Sequence, residues 1–305
     1  MPKQAILIQC HKNPEQVNML LDALRHPDVD VYIHVDKKSD IGSQLKTSSQ
    51  IHILLDRYRV DVQWATFSQV QATLNLLRYA SHHEKYEHYW LCSGQDYPIK
   101  PVDEIMQFLQ AHPDTNFIQI WDSKNSIGGG TENNLDKRTA IYFPTFVLGN
   151  STAKRIAKRV IVELTGGWNR TFSIFRRKAP DNVKFYSGSS WICLSGEMEG
   201  WMESYLKSHP EYTRFYRNVN CPDESFFQTL VMNSPYKEKR EDYLHYVDWS
   251  EGGNSPKTLT IDDYEKLKAS DKLMARKFDI GTDINILNHL PIKMGSKECQ
   301  SMKKI

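Results

Sequence analysis

No run of 18 apolar residues occurs in the 305-residue chain, and Met1-Pro2-Lys3-Gln4 leads only into the short run Ala5–Ile8. Neither a membrane span nor a signal-peptide core is expected from so short a run. Cysteine is scarce: Cys10, Cys92, Cys193, Cys221 and Cys299 are odd in number, widely spaced and form no C-x-x-C pair. This excludes a zinc ribbon, a paired redox motif and a disulfide framework, and a reducing, cytoplasmic compartment fits best. Charge of one sign is lacking too, with 39 Lys+Arg against 37 Asp+Glu and a formal charge of +2. A globally basic nucleic-acid binder is thereby excluded, so no nucleic-acid partner is expected. The chain has no G-x-G-x-x-G, P-loop, G-x-S-x-G or helical zincin pattern, which removes the commonest nucleotide and hydrolase signatures. Its one close D-x-D in the first half, Asp28-Val29-Asp30, precedes an apolar run and reads as a solvated turn.

What the chain does have is alternation. The apolar runs Ala5–Gln9, Val31–Val35, Ile51–Leu55, Tyr89–Ser93, Phe117–Ile120 and Trp191–Leu194 read as buried strands. Helical spacing separates the early ones. Over 14–25, Val17, Leu20, Leu21 and Leu24 share a face, with Asn13 as N-cap, Pro14 in the first turn and Gln16 completing a capping box. The same spacing recurs over 68–80, 102–109 and 198–205. An α/β fold with a mixed, mostly parallel central sheet flanked by helices follows, and ligands bind such sheets beyond the carboxyl ends of the strands. Without repeats or a long linker, one domain over 1–305 is expected, with Gly128-Gly129-Gly130 and Gly252-Gly253 as hinge candidates. It divides into halves over 1–120 and 121–290 and a tail over 291–305.

The middle of the chain is locally basic: residues 137–184 hold eleven Lys/Arg and two acids, Glu163 and Asp181. Within it Ala153, Ile156, Ala157, Val160, Ile161 and Leu164 form an apolar helical stripe flanked by Lys154, Arg155, Lys158 and Arg159, and Trp168, Phe172 and Phe175 follow. Two readings stand: a packed helix with a solvated basic face, or a peripheral contact with an anionic membrane surface.

Three constellations could carry chemistry. Tyr32–Lys38 is an apolar strand ending in Asp36, a carboxylate well placed for a ribose. In Cys221–Phe227, Asp223 and Glu224 precede a helix and read either as capping acids or as a general base facing a cleft. In Met274–Asp279, Arg276 and Lys277 lie between apolar residues and should meet an anion, either a diphosphate or Asp279 itself.

Together with Trp64–Ala72 (WATFSQVQA), Tyr89–Lys100 (YWLCSGQDYPIK), Tyr186–Leu194 (YSGSSWICL) and Val247–Trp249 (VDW), these stretches occur in an order that resembles the core-2/I-branching N-acetylglucosaminyltransferase and peptide O-xylosyltransferase family. The resemblance implies a GT-A-like, inverting transferase that uses a UDP-sugar as donor and needs no divalent metal or other cofactor. It also implies roles: Glu224 as catalytic base, Asp36 at the uridine ribose, Trp64 near the uracil, main chain at Gln9 near the base, and Arg276 with Lys277 clamping the diphosphate. Asp96 and Trp249 fall on the acceptor side. So does Ser190, which stands before Trp191 where the xylosyltransferase branch carries an acid; peptide-serine xylosylation is thereby put in doubt. GlcNAc or xylose is the expected sugar, and a saccharide or lipid-linked glycan the expected acceptor. The enzyme would be cytoplasmic, peripheral at the inner face of a membrane through Lys154, Arg155, Lys158 and Arg159. The competing reading is a non-catalytic nucleotide-sugar or glycan-binding protein on the same fold.

Overall fold

The computed structural model describes residues 3–121, 135, 139–142, 144–149, 151–253 and 255–291. Strand β1 (Gln4–Cys10) is apolar at most positions because both its faces are covered: Ile6, Ile8 and Cys10 enter one core, Ala5 and Leu7 the other. It pairs in parallel with β2 (Val29–Val35) on one side and β4 (His88–Ser93) on the other, and β3 (Ile51–Ile53) adds to β2. Beyond β4 come β7 (Ile192–Ser195), antiparallel to its neighbours, then β6 (Asn116–Ile118) and β8 (Arg240–Glu241), giving the order β3-β2-β1-β4-β7-β6-β8. This is the single α/β domain with a mixed, largely parallel sheet that the alternation predicts, consistent with a GT-A-like fold.

Helices α1 (Pro14–Ala23) and α3 (Val102–Ala111) close one face of the sheet. Helix α2 (Phe67–His83) closes the other, with α6 (Gly196–Ser208), α7 (Pro210–Tyr216) and α8 (Phe226–Met232) beside it. A second sheet is not foreseen by the sequence pattern. It consists of β5 (Asp96–Pro98), β10 (Met274–Arg276) and β9 (His245–Val247), with β10 in the middle. Its strands read DYP, HYV and MAR, with no apolar run to mark them, so only the folded chain reveals them.

Two local readings are corrected. Asn13 is left-handed at φ 53° and its side chain does not cap α1. Nor does Gln16 close a capping box: it is buried and donates to the carbonyls of Gly94 (2.9 Å) and Phe278 (3.1 Å), tying α1 to loops at the sheet's carboxyl edge. The Asp28–Asp30 turn is not a solvated turn throughout, since Val29 and Asp30 already belong to β2 and Asp30 is buried. The Tyr86 hydroxyl donates to Asp30 at 2.7 Å and Lys3 pairs with it at 3.4 Å, which is why an acid is tolerated there.

Helix α4 (Thr152–Leu164) starts at Ser151, whose Oγ accepts from the Lys154 N–H, and α5 (Trp168–Ile174) follows. Only Val162 of α4 is fully buried; Ala157 and Ile161 rest on the small cluster of Ile141, Val147 and Leu148. The remainder of the apolar stripe faces outward. The glycines at 128–130 lie outside the described residues, whereas Gly252 and Gly253 take the positive φ angles of a turn.

Candidate active site

The carboxyl ends of β1, β2 and β4 open into a cleft of about 1260 Å³. Eight of the nine residues assigned from sequence line it: Gln9, Asp36, Trp64, Ser190, Glu224, Trp249, Arg276 and Lys277. Asp36 follows β2 directly. Its N–H bonds the Cys10 carbonyl (2.9 Å), its carboxylate accepts from the Lys38 N–H (2.9 Å), and Arg59 holds its carbonyl (2.8 Å). The carboxylate is thus fixed at the carboxyl end of the strand, facing the cleft. Neighbouring His34 accepts from the Val60 N–H at 2.8 Å, and burial lowers its pKa to about 4, so it stays neutral and anchors the loop that leads to Trp64. The Gln9 amide donates to Thr73 (2.8 Å), and its main-chain carbonyl accepts from the Gly94 N–H (2.9 Å).

Glu224 ends a single 3-10 turn, Pro222–Glu224, set up by Cys221 in the left-handed region at φ 49°. Two main-chain bonds hold that turn: the Cys221 N–H donates to the Ala65 carbonyl (3.0 Å), and the Gly188 N–H donates to the Glu224 carbonyl (2.9 Å). Gly188 must be glycine, because a Cβ there would lie 1.8 Å from the Gln119 carbonyl oxygen. Asp223 accepts from the Ser190 hydroxyl at 2.7 Å and from Gln69 at 3.5 Å, while the Gln69 carbonyl oxygen Oε1 accepts from the Ala65 N–H at 2.6 Å. Ser190 therefore positions Asp223 as well as lining the cleft. Gln69 is not found from sequence, although it sits inside the WATFSQVQA stretch; nothing in its residue type sets it apart from a surface glutamine.

Arg276 and Lys277 leave β10 at the opposite wall. The guanidinium stacks 3.8 Å above the Trp191 ring and pairs with Asp96 at 3.6 Å. Asp279 is not its partner: that carboxylate pairs with Lys12 at 2.7 Å. Asp96 corrects its acceptor-side assignment, because it is 0% exposed and does not reach the cleft. Its oxygens accept from the Ser93 N–H (2.8 Å) and hydroxyl (2.7 Å) and face Arg276 and His245. Burial pushes the Asp96 carboxyl up, but Arg276, His245 and Ser93 together outweigh it and hold the group below its ordinary range. Burial likewise lowers the His245 pKa against the pull of Asp96, which keeps that imidazole neutral. Trp191 and His245 also escape a reading by residue type; the tryptophan stands within the YSGSSWICL stretch as an unassigned aromatic.

The expectation of a protein without a metal or cofactor is corrected. Among the described residues, two clusters each bring three ligand atoms within 4.8 Å of one another: Cys92, Asp96 and His245 beneath the cleft, and Asp30, His52 and His83 at the far end of the sheet. The first fits a thiophilic ion by donor type, and both His245 nitrogens are buried without a hydrogen-bond partner among the described residues. Spacing rules could not find either cluster, because in neither do all three members fall in one stretch of the chain.

Comparison with known proteins agrees with the resemblance read from the sequence. A xylosyltransferase of Ciona intestinalis is 27% identical over 308 residues, covering 92% of this chain and 32% of its own. The xylosyltransferase oxt of Drosophila melanogaster is 26% identical, covering 87% of this chain and 30% of its own, and xylosyltransferase 1 of Rattus norvegicus is 24% identical over 93% and 34%. The chain thus spans about a third of the length of these relatives. The family described as Core-2/I-Branching enzyme matches residues 5–271, nearly the whole of the two-sheet domain and all of the cleft except Arg276 and Lys277. With the fold, the cleft and this match in agreement, the chain belongs to the Core-2/I-Branching enzyme family.

Proposed function

We propose that the protein transfers a sugar from a UDP-sugar to a saccharide hydroxyl by a single displacement, with inversion at the anomeric carbon. The observation that carries this reading is the meeting of Asp36, Trp64, Glu224, Arg276 and Lys277 in one cleft at the carboxyl ends of parallel strands. Glu224 takes the proton of the acceptor hydroxyl as its oxygen bonds to the anomeric carbon, and the bond from that carbon to the diphosphate breaks with its electrons leaving on UDP. Arg276 and Lys277 face the charge that develops on the diphosphate. Asp36 takes the ribose, main chain at Gln9 and the half-exposed Trp64 the uracil, and Trp249 and Ser190 the acceptor side. A metal held by Cys92, Asp96 and His245 would add positive charge below Arg276.

The relatives' names favour UDP-xylose as the first donor to assay, with UDP-GlcNAc beside it. Hydrolysis of one of them in the absence of acceptor, or transfer to an oligosaccharide, is the expected result. Tight UDP binding with no turnover of any donor would instead make this a binding protein.

The acceptor is proposed to be lipid-linked and met at a membrane. In support, α4 and α5 present outward Ile156, Val160, Leu164 (82% exposed), Trp168 and Ile174 (60%), and Phe146 (67%) beside them, among Lys154, Arg155, Lys158, Arg159 and Arg170. Lys154 reaches Gln63 at 2.7 Å, next to Trp64, so this face adjoins the cleft. An anionic surface contributes about 1 kcal/mol per basic residue. Replacing Lys154, Arg155, Lys158 and Arg159 by Glu should therefore abolish cosedimentation with phosphatidylglycerol vesicles at low salt; wild-type protein that stays in the supernatant sinks the idea. The enzyme is proposed to work on the inner face of that membrane.

A further inference from the structure

We infer that Asp30, His52 and His83 form a binding site for a divalent transition-metal ion, zinc by donor chemistry, independent of the transfer site. Asp30 is the second residue of β2, His52 is the central residue of the edge strand β3, and His83 ends α2, so an ion here would clamp three elements together. Asp30 and Asp36 lie at opposite ends of β2, on the order of 20 Å apart at about 3.3 Å per residue, and none of the three residues lines the cleft.

Donor type and placement both suit an ion. Two imidazoles and a carboxylate are a common zinc set, with the fourth position left for water. The two rings are 4.4 Å apart between centroids, and the three ligand atoms lie within 4.8 Å of one another. Zinc bonds of about 2.0–2.1 Å require them to approach to roughly 3.3 Å, a closure of at most about 1.5 Å for any pair. His52 Nε2 is buried and has no hydrogen-bond partner among the described residues. Buried imidazole nitrogens are normally satisfied, so this one calls for a ligand.

Around the cluster stand the outer partners that metal ligands usually have. The Tyr32 ring stacks on His52 at 4.7 Å, its hydroxyl bonds His83 Nδ1 at 2.8 Å and the Tyr86 hydroxyl at 2.6 Å, and Tyr86 in turn donates to Asp30 at 2.7 Å. One continuous chain of hydroxyls thus holds two of the three ligands. Lys3 competes for Asp30 from outside at 3.4 Å while pairing with Glu84 at 2.8 Å.

Titration of the whole protein with Zn²⁺, followed by competition against a chromophoric chelator and by thermal unfolding, tests the site. The expected result is uptake at this site with a rise in Tm, lost in His83→Gln and in His52→Gln, and at least threefold tighter in Lys3→Ala, which frees Asp30. Because His83 is at the surface, His83→Gln should fold normally, which circular dichroism checks. The Cys92 cluster is told apart by Co²⁺: an Asp/His site gives visible ligand-field bands without the near-ultraviolet thiolate charge transfer that a cysteine ligand produces. No Zn²⁺ uptake, uptake and Tm rise unchanged in His83→Gln and His52→Gln, or Co²⁺ spectra showing only thiolate-ligated metal would each overturn the inference. UDP-sugar turnover in His83→Gln should equal that of the wild type, since the site lies far from the cleft.

Discussion

Glu224→Gln should lower kcat for sugar transfer by about 10²–10⁴-fold, the usual worth of a positioned general base, while the Kd for UDP stays unchanged. The separation of the two readouts follows from how the residue is held. Its main chain is fixed by Gly188 and by the Cys221 turn, so an isosteric amide should keep the loop in place and remove only the proton acceptor. An amide cannot take the proton from the attacking hydroxyl. Calorimetry with UDP beside a transfer assay checks both quantities, and wild-type turnover by the variant would move the base elsewhere, with Asp223 next to be tried.

Arg276→Ala should be the most damaging change to the fold and the chemistry at once. It removes the cation proposed to face the leaving diphosphate and leaves the fully buried Asp96 facing, among the described residues, the neutral His245 and Ser93. Breaking a buried pair from one side typically costs about 3–5 kcal/mol. Urea unfolding should show a loss of that order, together with weaker UDP binding. Adding Asp96→Asn removes the uncompensated charge, so the double variant should regain much of the stability and none of the transfer. The pH dependence has a definite sign. Asp96 titrates below its ordinary range in the fold, so its contribution is complete at neutral pH and is lost as the pH falls through that lowered pKa. If the double variant is no more stable than Arg276→Ala, the Asp96 charge is not what the arginine offsets.

Much of the fold is legible in the amino-acid sequence. The strands of the main sheet show themselves because β1 and β4 are buried on both sides, so their apolar runs are continuous and β-sized. The cleft residues are legible through the order of short stretches that resemble one family, since each stretch contributes residues to the cleft. What escapes is anything that depends on partners distant in sequence. Asp96 has the same residue type whether it meets an acceptor or a buried arginine, and only the pairing of β5 with β10 decides. Gln16 fits a capping pattern but turns inward, because two loop carbonyls need a donor more than the helix start does. The metal-free reading fails for a related reason: ligand sets assembled from residues 30, 52 and 83, or 92, 96 and 245, leave no spacing to read.

The bond from Cys221 to Ala65 has a further consequence for anyone recombining members of this family. Both residues are left-handed without being glycine, at φ 49° and 62°, so each loop keeps its unusual shape by leaning on the other. The segment carrying Trp64 and the segment carrying Glu224 therefore behave as one inheritable cassette. A chimera that imports the loop around residues 60–66 without its matching 219–224 should misalign Glu224, whereas exchanging both together should keep the two segments in register; transfer by the two chimeras checks this.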